Sequence, residues 1–251
     1  MQKHNSGLLG NKYKLVIKPC KRELQAFFHT FQKNRNSNVP LFYQHNINET
    51  TRLGIWQIEE DENFFLAKVP LQQNITHPHK RLQHLAGRYL LQYLFPDFPY
   101  DEIMIADTRK PYLPNEQYHF SISHCGNYAA AIVSPVYRVG IDIEIPTEKV
   151  ERIAHKFISE TERSFLLESV ICNEGLLPDR LLFTVLWSSK EAVFKWYSLG
   201  KIDFKEHMQL NNIIQKQNDN YTLPFIFTKE DINWLNIHCK LFDEIVLSWV
   251  L

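Results

Sequence analysis

Val139-Gly140-Ile141-Asp142-Ile143-Glu144-Ile145 is the stretch from which the fold is read. In an extended strand, side chains alternate with a period of two. Val139, Ile141, Ile143 and Ile145 then share one face, and Gly140, Asp142 and Glu144 share the other. The two carboxylates stand roughly 7 Å apart on that face, where they repel, and desolvating either without a cation is costly. A divalent metal is one candidate for the positive partner. A solvated acidic face on an edge strand is the other reading. Gly140 removes the side chain beside Asp142 and lets a ligand or another backbone approach closely.

The chain has 251 residues and 44% hydrophobic content, enough to bury a full core as one large domain or two modest ones. Lys plus Arg equals Asp plus Glu at 28 each, so no overall charge points to a nucleic acid or a membrane. The balance is uneven along the chain: 15 basic against 11 acidic residues up to Val136, and 13 against 17 beyond it. This divides the chain into a basic half, residues 1–136, suited to phosphates, and an acidic half, residues 137–251, suited to a metal. Cys20, Cys125, Cys172 and Cys239 show no C-x-x-C spacing, so neither a zinc knuckle nor a disulfide framework is supported. The N-terminus lacks the plan of a secretory signal, and no apolar run approaches the roughly 20 residues that span a bilayer. A soluble cytoplasmic protein is the expectation.

Along the chain, Lys12, Lys14 and Lys18 flank the apolar Leu15 to Ile17 in an expected basic strand. Leu53 to Trp56 and Asn63 to Val69 read as strands joined by the acidic turn Glu59 to Glu62. Thr76-His77-Pro78 signals a helix start, with Thr76 as the expected cap. Leu82, Leu85, Tyr89 and Leu94 then recur at helical spacing, while Arg81, His84 and Arg88 form a cationic stripe. Such a stripe repels itself unless an anion lies against it, although a solvated face accounts for it equally well. Arg109-Lys110-Pro111 is a stiff loop that presents Lys110 from a fixed backbone. Tyr118 to Ser123 reads as a strand with Ser121 and Ser123 on its polar face, His124 to Asn127 as a turn, and Tyr128 to Ser134 as the returning strand.

Beyond the acidic strand, Val150, Ile153, Ala154 and Phe157 mark an amphipathic helix, and Ser159 with Glu162 reads as a capping box. Asp179 is placed to cap a helix from Arg180 to Ser198 that buries Leu182, Val185, Leu186 and Val193. On it, Glu191 and Lys195 lie one turn apart, an arrangement that by itself reads as a surface ion pair worth about 0.2–0.5 kcal/mol. Strands are expected at Ile202 to Phe204, Tyr221 to Phe227, Ile237 to Leu241 and Ile245 to Val250.

The two halves echo each other. Gly54-Ile55-Trp56-Gln57-Ile58-Glu59 matches the acidic strand, each is followed by a long helix, and each half closes on an apolar strand. Two copies of one α+β unit about a pseudo-two-fold axis are the expectation. Trp56 takes the place of Asp142 in the first copy, so the pair would hold one complete site.

Gly140-Ile141-Asp142-Ile143-Glu144 and Trp187-Ser188-Ser189-Lys190-Glu191-Ala192-Val193-Phe194-Lys195, preceded by Lys110-Pro111 and Phe120-Ser121-Ile122-Ser123-His124, resemble the 4'-phosphopantetheinyl transferase superfamily. The match is to its long, pseudo-dimeric type that activates peptide synthetases rather than to the short trimeric holo-acyl-carrier-protein synthases. It covers Thr76 to Lys195. The resemblance implies that fold, a monomer with internal pseudo-two-fold symmetry, coenzyme A as donor and an apo acyl- or peptidyl-carrier protein as acceptor. It implies Mg2+ on Asp142, Glu144 and Glu191, with Glu191 the candidate general base and Lys195 at the pyrophosphate. Ser123 and His124 would contact the nucleotide phosphates, Lys110 with Pro111 would lie near the adenine, and Arg88 with Lys80 or Arg81 would form the basic helix. Arg109, in place of the usual glycine, and Cys125, in place of a frequent serine, depart from the pattern. Lys156, Arg152 and Arg163 are candidate docking cations for an acidic carrier. The rival readings are a metal-dependent phosphodiesterase and a non-catalytic coenzyme-A-binding module.

Overall fold

The computed structural model of the protein describes residues 41–71, 74–172 and 177–251, all within the compact unit Ser37–Leu251. The expected basic strand with Lys12, Lys14 and Lys18 lies outside the described residues. The strands are β1 (Leu41–Asn46), β2 (Arg52–Gln57), β3 (Met104–Ile105), β4 (Pro111–Tyr112), β5 (His119–Cys125), β6 (Tyr128–Ser134), β7 (Gly140–Glu144), β8 (Met208–Leu210), β9 (Gln215–Gln217), β10 (Asn220–Phe227), β11 (Asn233–Leu241) and β12 (Val246–Val250). Helices occupy Glu62–Leu66, Pro78–Leu94, Glu148–Phe157, Glu160–Cys172 and Asp179–Tyr197. Helix and strand are mixed, as the α+β expectation requires.

Every strand pairing is antiparallel. One sheet runs β1-β2-β6-β5, and a second runs β7-β12-β11-β10-β8 with β9 beside β10. β6 explains how they meet. Its run Tyr128 to Val133 is apolar at every position and buried on both faces, as an unbroken apolar run predicts. Ala129, Ala131 and Val133 pack with Leu85, Ala86, Leu90 and Leu94 of the helix Pro78–Leu94. Ala130 and Ile132, with Leu53 and Ile55, meet Val139, Ile141, Ile143, Leu247 and Trp249 of the second sheet. Each aliphatic side chain buried in that seam contributes roughly 1.5–3 kcal/mol. The apolar face read from the acidic strand is therefore the face that joins the sheets, which leaves Asp142 turned toward the helix Asp179–Tyr197.

Several local expectations are corrected. Asn63 to Val69 is not a strand: Asp61 accepts a hydrogen bond from the Phe64 amide at 3.0 Å and caps the helix Glu62–Leu66, with Glu62 in its first turn. His77, not Thr76, caps the next helix, its ring accepting from Lys80 N at 3.4 Å. Asp179 lies inside its helix and Pro178 holds the cap position. Ile202 to Phe204 is irregular rather than extended. The capping box does form: Ser159 N donates to Glu162 Oε2 at 2.8 Å, and Glu162 N to Ser159 Oγ at 3.2 Å.

Candidate functional site

Asp142 sits at the centre of β7, where it is 3% exposed. Its Oδ1 accepts from Ser123 Oγ at 2.8 Å and from Lys195 Nζ at 2.6 Å, while Lys195 Nζ also donates to Ser123 Oγ at 2.8 Å. The positive partner that the buried carboxylate demands is thus, in this arrangement, Lys195. Asp142 Oδ2 is buried with no hydrogen-bond partner. The polar face expected for β5 is real but not solvated. Ser123 turns onto Asp142, and Ser121 Oγ accepts from Ile141 N at 3.2 Å, so two serines stitch β5 to β7.

Glu144 lies two residues on, its Oε1 accepting from Trp187 Nε1 at 3.2 Å. Burial, reinforced by Asp142, pushes the Glu144 carboxyl up to about 7. Glu191 is also pushed up to about 7, by burial first, then by Asp142 and Glu144, with Lys195 acting in the opposite sense. The three carboxylates therefore share one electrostatic field. A close-approach contact brings this about. The helix Asp179–Tyr197 lies so near β7 that a Cβ on Gly140 would stand 2.0 Å from Ala192 O and 2.8 Å from Trp196 N. The glycine serves backbone approach, one of its two expected uses.

Lys195 and Trp187 each hold a carboxylate oxygen as the side chains stand. Among the described residues no group of three His, Cys, Asp or Glu side chains is arranged as a ready metal cage. The donor chemistry is nonetheless that of a hard cation: carboxylate oxygens only, one of them buried and unpartnered.

The cationic residues divide into two groups. Arg88 is 6% exposed, its Nη1 against His84 Nδ1 at 3.2 Å and its Nε buried without a partner. Burial, then Arg88 and His124, holds His84 down at about 4, so it is neutral near pH 7. Burial, then Lys195, also lowers His124, and the charge of Lys80 adds to this. Lys80 is exposed and, among the described residues, has no ion pair. Arg81, by contrast, is spent on a bidentate pair with Glu62 at 2.7 and 2.8 Å and on Ile75 O.

Lys110 is not held out toward solvent. Its Nζ donates to Lys195 O and Ser198 Oγ at the C-terminus of the long helix, where helix carbonyls attract a cation. Burial, then Arg138 and Lys195, lowers the Lys110 ammonium to about 8. The neighbouring Pro111 pairs with Ile105 in the β3–β4 ribbon. Arg109 adopts φ 65°, a left-handed backbone that costs an L-residue roughly 1–2 kcal/mol and explains why glycine suits this place. Cys125 is a free thiol that burial pushes up to about 12, so it stays protonated. Sequence reasoning missed Trp187 as a partner of Glu144, and Ser198, whose left-handed cap (φ 75°) receives Lys110. Trp187 lay inside the quoted motif, but nothing in the pattern says which carboxylate its indole meets.

The chain is similar to known proteins. Residues 138–250 match the model of the 4'-phosphopantetheinyl transferase superfamily. The chain is 27% identical over 173 residues to 4'-phosphopantetheinyl transferase AcpT of Escherichia coli O157:H7, covering 62% of this chain and 84% of that protein. It is 33% identical over 122 residues to enterobactin synthase component D of Salmonella typhimurium, covering 47% of this chain and 49% of that protein. The corresponding protein of Escherichia coli K12 is 34% identical over 119 residues, 46% of this chain and 54% of that one. The chain therefore spans only about half the length of the component D proteins. Residues 138–250, which carry Asp142, Glu144, Glu191 and Lys195, are thus the part of the chain that is similar to the 4'-phosphopantetheinyl transferase superfamily.

Proposed function

We propose that the protein moves 4'-phosphopantetheine from coenzyme A to a serine of an apo acyl- or peptidyl-carrier protein and releases adenosine 3',5'-bisphosphate. The observation that carries this reading is the ion pair of Lys195 with the buried Asp142, in one electrostatic field with Glu144 and Glu191, with His124 between that field and the cation Lys80. The acceptor serine hydroxyl forms a bond to the β-phosphorus, and the bond from that phosphorus to the bridging pyrophosphate oxygen breaks. Glu191, raised to about 7, has the proton affinity to take the hydroxyl proton near neutrality. Lys195 offsets charge on the departing nucleotide.

Asp142, Glu144 and Glu191 would hold Mg2+, which supplies charge neutralisation at the pyrophosphate. Lys80, His124 and Arg88 take the nucleotide phosphates, with Arg81 set aside because Glu62 already neutralises it. Lys110 and Pro111 stiffen the adenine side, and Ser123 reaches the site through Asp142.

The reading extends to the long, pseudo-dimeric type, with halves 1–136 and 137–251. In its support, β2 pairs with β6 beneath the helix Pro78–Leu94 as β7 pairs with β12 beneath Asp179–Tyr197, and Gly54 faces Leu90 and Leu94 as Gly140 faces Ala192. Trp56 occupies the Asp142 place, so one chain makes one site and works as a monomer. The free thiols Cys125 and Cys239 suit a reducing, cytoplasmic setting. Among the described residues no helix is long and apolar enough to cross a membrane.

Mass spectrometry of an apo carrier protein incubated with coenzyme A, Mg2+ and the enzyme tests the proposal. A phosphopantetheine adduct on the carrier serine is expected. Hydrolysis of coenzyme A with no carrier present would favour a phosphodiesterase, and nucleotide binding without turnover would favour a binding module.

A further inference from the structure

We propose that Lys190 is a positioning residue: through its buried contact with Glu162 it sets the rotation of the helix Asp179–Tyr197, and so the direction in which Glu191 and Lys195 point. The inference rests on the proposed function in taking those two residues as the reacting groups.

Lys190 stands beside Glu191 in the sequence but is fully buried, as is Glu162. All three donors of its ammonium are used, each on a different element. Nζ meets Glu162 Oε1 at 2.7 Å, Phe157 O at 2.5 Å and Phe204 O at 2.7 Å. Phe157 ends one helix, Glu162 lies in the first turn of the next, and Phe204 follows the long helix. Glu162 is held in turn: Oε1 also accepts from Leu210 N on β8 at 2.9 Å, and Oε2 from Ser159 N at 2.8 Å. Desolvation lowers the Lys190 pKa, and Glu162 acts in the opposite sense.

Stability alone gives little reason for such a pair, because well-packed apolar residues of equal volume often do as well or better. What the pair adds is direction. Successive helix residues diverge by about 100°, while residues four apart share a face, so a fixed Lys190 fixes the common face of Glu191 and Lys195. Gly140, against Ala192 and Trp196, sets how close the helix lies to β7, and Lys190 adds a polar anchor on another face of the helix. With side chains reaching about 5–6 Å from the axis, a turn of about 20° moves a carboxylate by about 2 Å. A misplacement of about 1 Å can cost 10²-fold in rate.

The test compares Lys190→Met with Phe225→Leu, a control on β10 in the core that also buries Leu182 and Val185 of the same helix, at matched loss of Tm. Lys190→Met is expected to lower kcat about 100-fold while KM for coenzyme A stays within about twofold. Its Mg2+ affinity, measured by calorimetry without coenzyme A, should weaken about tenfold as Glu191 turns away. Phe225→Leu should keep both kcat and Mg2+ affinity. If Lys190→Met keeps both, or if Phe225→Leu loses as much, the positioning role is refuted. Should Lys190→Met fail to fold, Glu162→Gln is read in the same way, since its amide oxygen can still receive Leu210 N. A wild-type protein without transfer activity would sink the functional reading instead, and the Mg2+ titrations would still decide the role of Lys190.

Discussion

Gly140 and Ala192 touch through their backbones: a Cβ on the glycine would lie 2.0 Å from the Ala192 carbonyl oxygen, a distance no side chain can occupy. The strand that carries Asp142 and the helix that carries Glu191 are therefore in contact within two residues of each carboxylate. Gly140→Ala must push the helix off the sheet. Overpacking of this kind typically costs about 1–3 kcal/mol. The variant should lose that much stability in urea unfolding and most of its transferase activity. Gly54→Ala is the contrast, because its Cβ would meet Tyr43 O at 3.3 Å and Leu90 Cδ1 at 3.4 Å, which small shifts relieve. It should stay folded with a far smaller loss.

Asp142 and Lys195 form an ion pair at 2.6 Å in which the carboxylate is nearly inaccessible to solvent. Asp142→Asn keeps the volume and removes the charge, so steady-state transfer should fall by about 10²–10³ in kcat. Ser123→Ala removes one of the two donors to Asp142 Oδ1. It should lower kcat by about tenfold with little change in KM for coenzyme A. A raised KM with kcat kept would show that this serine serves the nucleotide instead.

Glu144 and Glu191 are both raised from about 4.5 to about 7. A carboxyl whose pKa is higher in the folded than in the unfolded protein favours folding most at low pH, and that contribution is lost as pH rises toward 7. His84, lowered to about 4, works in the opposite sense, adding stability as pH rises from about 4 toward 6.5. The carboxyl effect is therefore isolated by comparing wild type with Glu191→Gln. Without divalent ions, the Tm advantage of wild type over the variant should shrink between pH 5 and 8. Mg2+ competes with protons for the same oxygens, so its affinity for wild type should rise with pH through about 7 and release protons on binding. Calorimetry in buffers of different ionisation enthalpy measures that release, and a pH-independent affinity would contradict the assignment.

Arg88 is buried and, among the described residues, forms no ion pair with a carboxylate, an expensive arrangement unless an anion is to be received. Arg88→Met should leave the protein at least as stable and weaken adenosine 3',5'-bisphosphate about tenfold in calorimetry, or about 1.4 kcal/mol. Lys80→Ala should raise KM for coenzyme A. Arg81→Ala should chiefly lower Tm, since its partner is Glu62.

Some of this was legible without coordinates because it is local. The period-two pattern of Val139 to Ile145 identified both the face that packs and the face that carries charge, and the helical spacing of Leu182, Val185, Leu186 and Val193 identified the buried side of the long helix. The capping box at Ser159 and Glu162 followed from spacing alone. Asn63 to Val69 failed because a short apolar run fits a strand and a helical turn equally, and the cap at Asp61 decided between them.

Periodicity assigns a side chain to a face and says nothing of what lies opposite. That Lys195 rather than solvent answers Asp142, that Glu62 removes Arg81 from contention, and that Lys190 is buried on Glu162 are all contacts between residues far apart in the chain. The sequence by itself determined the elements, their apolar faces and the kinds of residue available for chemistry, because those depend on neighbours within a few positions. Only the tertiary structure decided which charges face one another, because burial and distance set electrostatic energies and both arise only once the two sheets close on their shared seam.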